Sequence, residues 1–329
     1  MYINGASAIS PLPVFDALSS GIDFIPGEGK RLTASEPAYN NLIDPRLSRR
    51  MSRVIRMGVA TAMDALRQAG VSNPDAIITG TAYGCLEDTG IFLKRLVENG
   101  EEMLTPTAFI QSTHNTVGAQ VALLLKCHSY NNTYVQRAQS FERSLQDARL
   151  WITENPGAAV LVGAADELTD FSYALLERFG LFRHQSGGEG AAYFLVTDNP
   201  SEKSWARIEQ VSTLFEPGLE ELHDLTTALL GGASGPVDLL LSGEEETDYN
   251  AYQYAELSTL LSSEMPVIRY KKYCGTYPTA TAFASWLAAW WLKAGKVEVD
   301  GIQLPNPRRI LIYQADPSGY HSFILLAAC

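Results

Sequence analysis

The chain has 329 residues, 46% hydrophobic and 19% charged, enough apolar material for one large α/β unit or two fused halves. Its formal net charge of −12 argues against a nucleic-acid or membrane-surface partner, since no Lys/Arg cluster exceeds pairs such as Arg49-Arg50 and Lys271-Lys272. The N-terminus lacks the charged flank and apolar run of a signal peptide, and FASWLAAWWL at 283–292 is too short to span a bilayer. Cys85, Cys127, Cys274 and Cys329 show neither disulfide-framework nor zinc spacing, and the five histidines form no metal-ligand motif. A cytoplasmic protein with no metal and no cofactor is the expectation.

In chain order, residues 1–10 alternate as a short strand, and 17–46 read as an irregular excursion rich in Gly, Pro, Asn and Ser. Residues 48–70 place Val54, Ile55, Val59, Met63 and Leu66 at helical spacing, with Gly70 as a stop. DAIITGTAYG (75–84) is a buried strand ending in a turn, followed by a helix over 86–100. A loop and helix occupy 105–126, a strand NNTYVQ, and a long helix ends at Asn155-Pro156. AAVLVGAADEL (158–168) is almost wholly apolar, the profile of a strand covered on both faces. GEGAAYFLVTD (188–198) is a Gly-led strand.

After Asn199-Pro200 the pattern restarts: a strand at 205–215, a helix near 217–230, a strand at 237–243 and a helix at 249–262. A loop at 271–279 leads into a helix through Lys293, and ILIYQA and FILLAA make a closing strand pair. Two successive α/β halves, 1–199 and 200–329, predict an internally duplicated fold packed as one compact unit.

Three stretches are placed for chemistry. The turn 135–142 joins a strand to a helix, where helix N–H groups can stabilise charge; its bland reading is a connection with Ser140 or Gln139 as cap. YKKYCGTYPTATAF (270–283) carries Lys271 ahead of Gly275, and a solvated lysine is the bland reading there. DLLLSGEEETDYN (238–250) carries Glu244, Glu245 and Glu246 after a buried strand, where the alternative is a solvated acidic turn.

Taken in order, these stretches resemble the β-ketoacyl synthase family of the thiolase fold. GTAYGCLEDT resembles its GTGxGGxxDT-like stretch, TYVQRAQSF its TVDTACSS turn, and GEGAAYFLVTD its GEGAGALVLE strand. VDLLLSGEEETDYNAYQYAEL falls at VDYVNAHGTGTPLNDAVEAEAL, YKKYCGTYPTATAFASWL at STKSMTGHTLGAAGAL, and ADPSGYH at the GFGGTN loop. The resemblance implies a five-layer α-β-α-β-α fold of two duplicated halves. It also implies a family in which a cysteine accepts an acyl group from a carrier protein, assisted by two histidines and a lysine.

The resemblance puts Gln139 at the cysteine position, and an amide cannot form a thioester. Ser242 and Gly243 occupy the first histidine's neighbourhood, Thr276 the second histidine's position, and only the lysine survives, as Lys271, with Lys272 one register away. Groups that act as a unit fail together, so no catalytic residue is expected. The implied role is a chain-length-factor-like subunit that pairs with an active ketosynthase and works with an acyl carrier protein in polyketide, polyene or fatty-acid-like elongation, for example of an aryl-polyene pigment. By the same resemblance, Tyr130, Thr133, Tyr134, Val135, Gln136 and Arg137, with the helix over 115–126, face the partner. Two alternatives stand beside it: a divergent decarboxylase or hydrolase using Lys271, Thr276 or Glu244–Glu246, and a homodimeric protein that binds acyl chains or carrier proteins.

Overall fold

The computed structural model describes residues 1–15, 21–231, 235–244, 251–260 and 265–329. The first half runs β1 (Tyr2–Ile9), α1 (Arg53–Ala69), β2 (Ala76–Gly80), α2 (Leu86–Glu98), α3 (Pro106–Gln111), α4 (Thr116–Leu125), β3 (Tyr130–Tyr134), α5 (Ser140–Glu154), β4 (Val160–Asp166), α6 (Asp170–Arg178) and β5 (Gly190–Thr197). The second half runs β6 (Ala206–Phe215), α7 (Leu219–Leu230), β7 (Leu239–Ser242), α8 (Ala251–Leu260), β8 (Val267–Arg269), α9 (Ala280–Ala294), the hairpin β9 (Lys296–Val299) and β10 (Ile302–Pro305), β11 (Arg309–Ala315) and β12 (Tyr320–Ala327). Where the sequence predicts a loop before α9, a single helical turn covers Lys271–Cys274. Among the described residues no helix is long and apolar enough to cross a membrane.

Ten strands form one sheet in the order β3-β2-β4-β5-β1-β6-β12-β11-β7-β8. Each set of five, numbered by its own appearance along the chain, has the order third-second-fourth-fifth-first. In both sets the second strand runs parallel to the third and fourth, and the fifth is antiparallel to its neighbours. The two first strands meet at the centre, Tyr2 opposite Arg207 and Ile3 opposite Ala206. This repetition supports a boundary near residues 199 and 200, which we propose as the join between duplicated halves.

Strand alternation sorts the apolar side chains into layers. Ile78, Val160 and Val162 of the first half, and Leu239, Leu241, Ile310 and Ile312 of the second, share one central core with α5 and α9. Ile77 and Leu161 face the opposite way, onto Val54, Val59 and Leu66 of α1 and Val117 and Val121 of α4. Leu240, Leu311 and Leu325 face outward onto α7 and α8 through Leu222, Leu229, Tyr254 and Leu257. The result is five layers, α-β-α-β-α, with α5 and α9 in the middle. That position explains the composition of α9, ATAFASWLAAWWLKA, which has no polar face because it meets no water over most of its length.

Position in the middle layer also isolates a carboxyl group. Glu142 of α5 is wholly buried and neither oxygen has a hydrogen-bond partner at bonding distance. Burial raises its pKa to about 7, against the opposing influence of the Thr281 hydroxyl, the α5 backbone, the Ser322 hydroxyl and the Arg143 guanidinium. The folded state therefore holds a proton that the unfolded chain has already lost, and stability falls as pH rises from about 4.5 to about 7. Replacing Glu142 by Gln removes that penalty. Urea titrations should show Glu142→Gln stabilised by about 3 kcal/mol above pH 7 and by little at pH 4.5; an equal effect at both pH values would contradict this account.

Candidate functional site

The turn between β3 and α5 is tightly built. Arg137–Gln139 form one 3-10 turn, and Arg137 lies in the left-handed region at φ 49°, a strained state for a residue with a Cβ. The Ser140 hydroxyl donates to the Arg137 carbonyl at 2.8 Å and accepts from the Gln136 N–H at 2.8 Å. Gln139 holds the N-cap position without capping through its side chain. Both capping readings from the sequence are thus replaced: Ser140 closes the turn, and Gln139 reaches elsewhere.

Gln139 is buried, and its Nε2 donates to the carbonyls of Leu214 at 3.1 Å and His321 at 3.3 Å. Those two residues are opposite one another on β6 and β12. Its Oε1 accepts from Arg143 Nη2 at 3.3 Å. The amide is therefore spent in bracing the first half's turn to the second half's sheet. A cavity of about 540 Å³ adjoins the turn; Arg137, Ala138, Lys271 and Thr276 line it, and Gln139 does not.

The other sequence-derived positions converge on the same region. Lys271 is buried at the cavity wall. Thr276 joins the halves through its backbone, its N–H donating to the Ser186 carbonyl at 2.7 Å and its carbonyl accepting from the Gly188 N–H at 2.9 Å. Ser242, at the end of β7, accepts from the Glu244 N–H at 3.1 Å. Gly243 follows it, and a Cβ there would lie 3.1 Å from the Tyr270 hydroxyl and 3.2 Å from Gln314 Cβ. Tyr270 donates its hydroxyl proton to Gln314 Oε1 at 2.5 Å. This buried pair fills the space into which a larger side chain at 243 would project. Glu244 is paired with Arg269 at 3.0 Å, and Glu245 and Glu246 lie outside the described residues.

Sequence reasoning missed the groups that hold the site. Asp166, fully buried at the end of β4, accepts from the Thr81 and Thr279 hydroxyls at 2.8 Å each and from the Ala82 and Tyr83 N–H groups at 2.9 and 3.1 Å. Burial pushes its pKa up while those four donors pull it down. His321, buried against the Tyr313 hydroxyl at 2.9 Å, has its pKa lowered to about 4 by burial, so it is neutral at pH 7. The signal available was the polar end of the apolar strand VLVGAAD; nothing local marked Tyr270 or Gln314.

The six residues expected to face a partner lie at or beside the β3 edge of the sheet. Val135 and Arg137 are exposed, and Thr133, Tyr134 and Gln136 are half-buried. Tyr130 is engaged within the chain, stacking on Trp151 at 4.5 Å and donating to Asp147 at 3.0 Å. Among the described residues, no cluster of His, Cys, Asp and Glu could hold a metal ion.

Residues 28–203 match the family model of the β-ketoacyl synthase N-terminal domain. The chain belongs to the β-ketoacyl synthase family. Solved structures agree on the fold: the ishigamide ketosynthase/chain length factor aligns at TM-score 0.78 and 17% identity, covering 100% of this chain and 98% of that one. The ketosynthase ApeO in complex with its chain length factor ApeC, from Xenorhabdus doucetiae, aligns at 0.74 and 15%, covering 100% and 98%. A type II PKS acyl-carrier protein complex with its ketosynthase, AntDE:AntF, aligns at 0.76 and 17%, covering 100% and 99%. No curated protein sequence matches. The fold is thus the thiolase-like one expected from the resemblance.

The filled space at Gly243 has a measurable consequence. Gly243→His should cost about 1–3 kcal/mol, the usual range for overpacking, and Tyr270→Ala in the same chain should recover part of it. Chemical denaturation of the three variants checks this; a Gly243→His protein as stable as the parent would show that the space is open.

Proposed function

We propose that the chain is a non-catalytic, chain-length-factor-type subunit that pairs in the cytoplasm with a cysteine-bearing ketosynthase. Its setting is carrier-protein-dependent elongation of a polyketide, polyene or fatty-acid-like chain. The observation that carries this reading is the state of the three positions where the family keeps its reactive groups. Gln139 stands for the cysteine with its amide committed to Leu214, His321 and Arg143. Ser242 and Gly243 stand in the first histidine's neighbourhood, with Gly243 under the Tyr270–Gln314 pair. Thr276 stands for the second. None of the three can accept an acyl group as a thioester or polarise a carbonyl as an imidazole does, and Lys271 alone supplies no nucleophile-base pair.

Pairing is supported by what the surface leaves uncovered. β3 is an edge strand, and an open edge is a ready template for another chain. Around it, α2, α3, α4 and α6 expose Ile91, Val97, Phe109, Ile110, Leu123, Phe171 and Phe179. Phe92 and Phe109 join α2 to α3 at a ring separation of 5.6 Å, and the Glu87 N–H donates to Glu167 at 3.0 Å, tying α2 to the segment before α6. Exposed apolar side chains in number near a sheet edge are the surface that an interface covers. The proposed partner face therefore runs from α2 through α4 and Thr133–Arg137 to α6, with Tyr130 behind it. Ketosynthase/chain length factor pairs and a carrier-protein complex among the similar structures support the ketosynthase and the carrier protein as partners.

Release of CO₂ from malonyl-carrier protein tests the reading. The isolated chain and its Gln139→Ala variant should give the same background, while the chain combined with a cysteine-bearing ketosynthase from the same genome should support condensation. Turnover by the isolated chain that Gln139→Ala abolishes would overturn it.

A further inference from the structure

A second cavity, of about 580 Å³, lies where the two halves meet at the far end of α5. It shares no lining residue with the cavity beside the turn. Arg149 of α5 lines it, about 15 Å along the helix from Gln139. Arg207 and Glu209 reach it from β6, Arg309 from β11, and Asp198 from the end of the first half.

Charge in this cavity is unevenly matched. Arg207 and Arg309 share one carboxylate, Glu209, which lies 3.0 Å from Arg309 Nε. The rest of the buried Arg309 guanidinium is held by the carbonyls of Gly235 and Leu229. Arg207 Nε is buried with no hydrogen-bond partner. Arg149 is half-buried and donates through Nη2 to the Ile208 and Glu209 carbonyls at 3.3 and 3.0 Å, yet it pairs with no carboxylate among the described residues. Burial alone lowers its pKa. Asp198 opposes these cations, while accepting from the Gly157 N–H at 2.9 Å and from Asn199 at 2.8 Å. Three guanidinium groups therefore face two carboxylates, in a chain whose net charge is −12.

We propose that this cavity binds the phosphoryl group of a phosphate monoester, gripped by Arg149 and Arg207, with the organic body of the ester against Ile152, Leu229 and Leu325. Guanidinium forks match the oxygens of a phosphoryl group two at a time and stay charged at every physiological pH. A cation partly withdrawn from water and lacking a counter-ion gains more from an anion than one on the open surface does. The volume far exceeds that of a phosphate ion and falls in the range of small-molecule sites, which is why an organic body is part of the ligand.

Isothermal titration calorimetry of the isolated chain with phenyl phosphate, inorganic phosphate and benzoate, at one ionic strength, tests this. The readout needs no partner subunit, so it is independent of the role proposed above. Phenyl phosphate should bind saturably and more tightly than either of the others. Arg149→Gln should weaken its binding about tenfold or more, the loss of a charge-assisted hydrogen bond. Asp198→Asn removes the opposing charge but keeps an acceptor for Gly157, and it should tighten binding. Absence of saturable binding to phenyl phosphate would overturn the proposal, and so would benzoate binding as tightly. Unchanged affinity in Arg149→Gln would do the same; should that variant fail to fold, binding by Asp198→Asn no tighter than by wild type would overturn it.

Discussion

One side-chain amide ties the first half's strand–helix turn to the second half's sheet. Gln139 sits where strand gives way to helix, the place at which this architecture presents reactive atoms, and there it joins the two halves of the molecule. Its hydrogen bonds run from the first half's turn to paired carbonyls on β6 and β12 of the second. A buried amide needs partners, and those carbonyls supply them. The backbone of Thr276 joins the halves in the same way, through Ser186 and Gly188.

The joints matter because the fold is a sandwich of repeated parts. α9 is buried over most of its length and α5 along one side, and both pack into the core shared by the two sets of strands. Truncating either Trp286 or Trp291 to Ala would typically cost about 3–5 kcal/mol. Asp166, at the end of β4, joins elements through its ring of donors, whereas Glu142, within the middle layer, is tolerated at a cost. Exposed apolar side chains of α2, α3 and α4 lie on the first half, whose outer strand is β3, while others, such as Phe215, Tyr252 and Val267, lie on the second half.

Much of this was legible in the sequence. Long periodic segments such as α1, with Gly70 in the left-handed conformation at its end, follow from spacing alone, and so does the pair β11–β12. Short elements did not announce themselves: β8, β9 and β10 have three or four residues each, too few for a period. The helix α6 was missed because its apolar residues face outward, so its pattern does not point to a core. At the site, Gln139, Thr276, Ser242, Gly243 and Lys271 were proposed from the resemblance alone, since no local pattern marks them. The Tyr270–Gln314 pair was invisible because its members are 44 residues apart and meet only through the parallel pairing of β7 with β8 and β11.

The central claim is that this chain works as half of a pair. Light scattering on the chain, purified alone and after co-expression with a cysteine-bearing ketosynthase from the same genome, tests it most directly. The account predicts a one-to-one heterodimer that forms in preference to any self-association. A stable homodimer that ignores the synthase would contradict it.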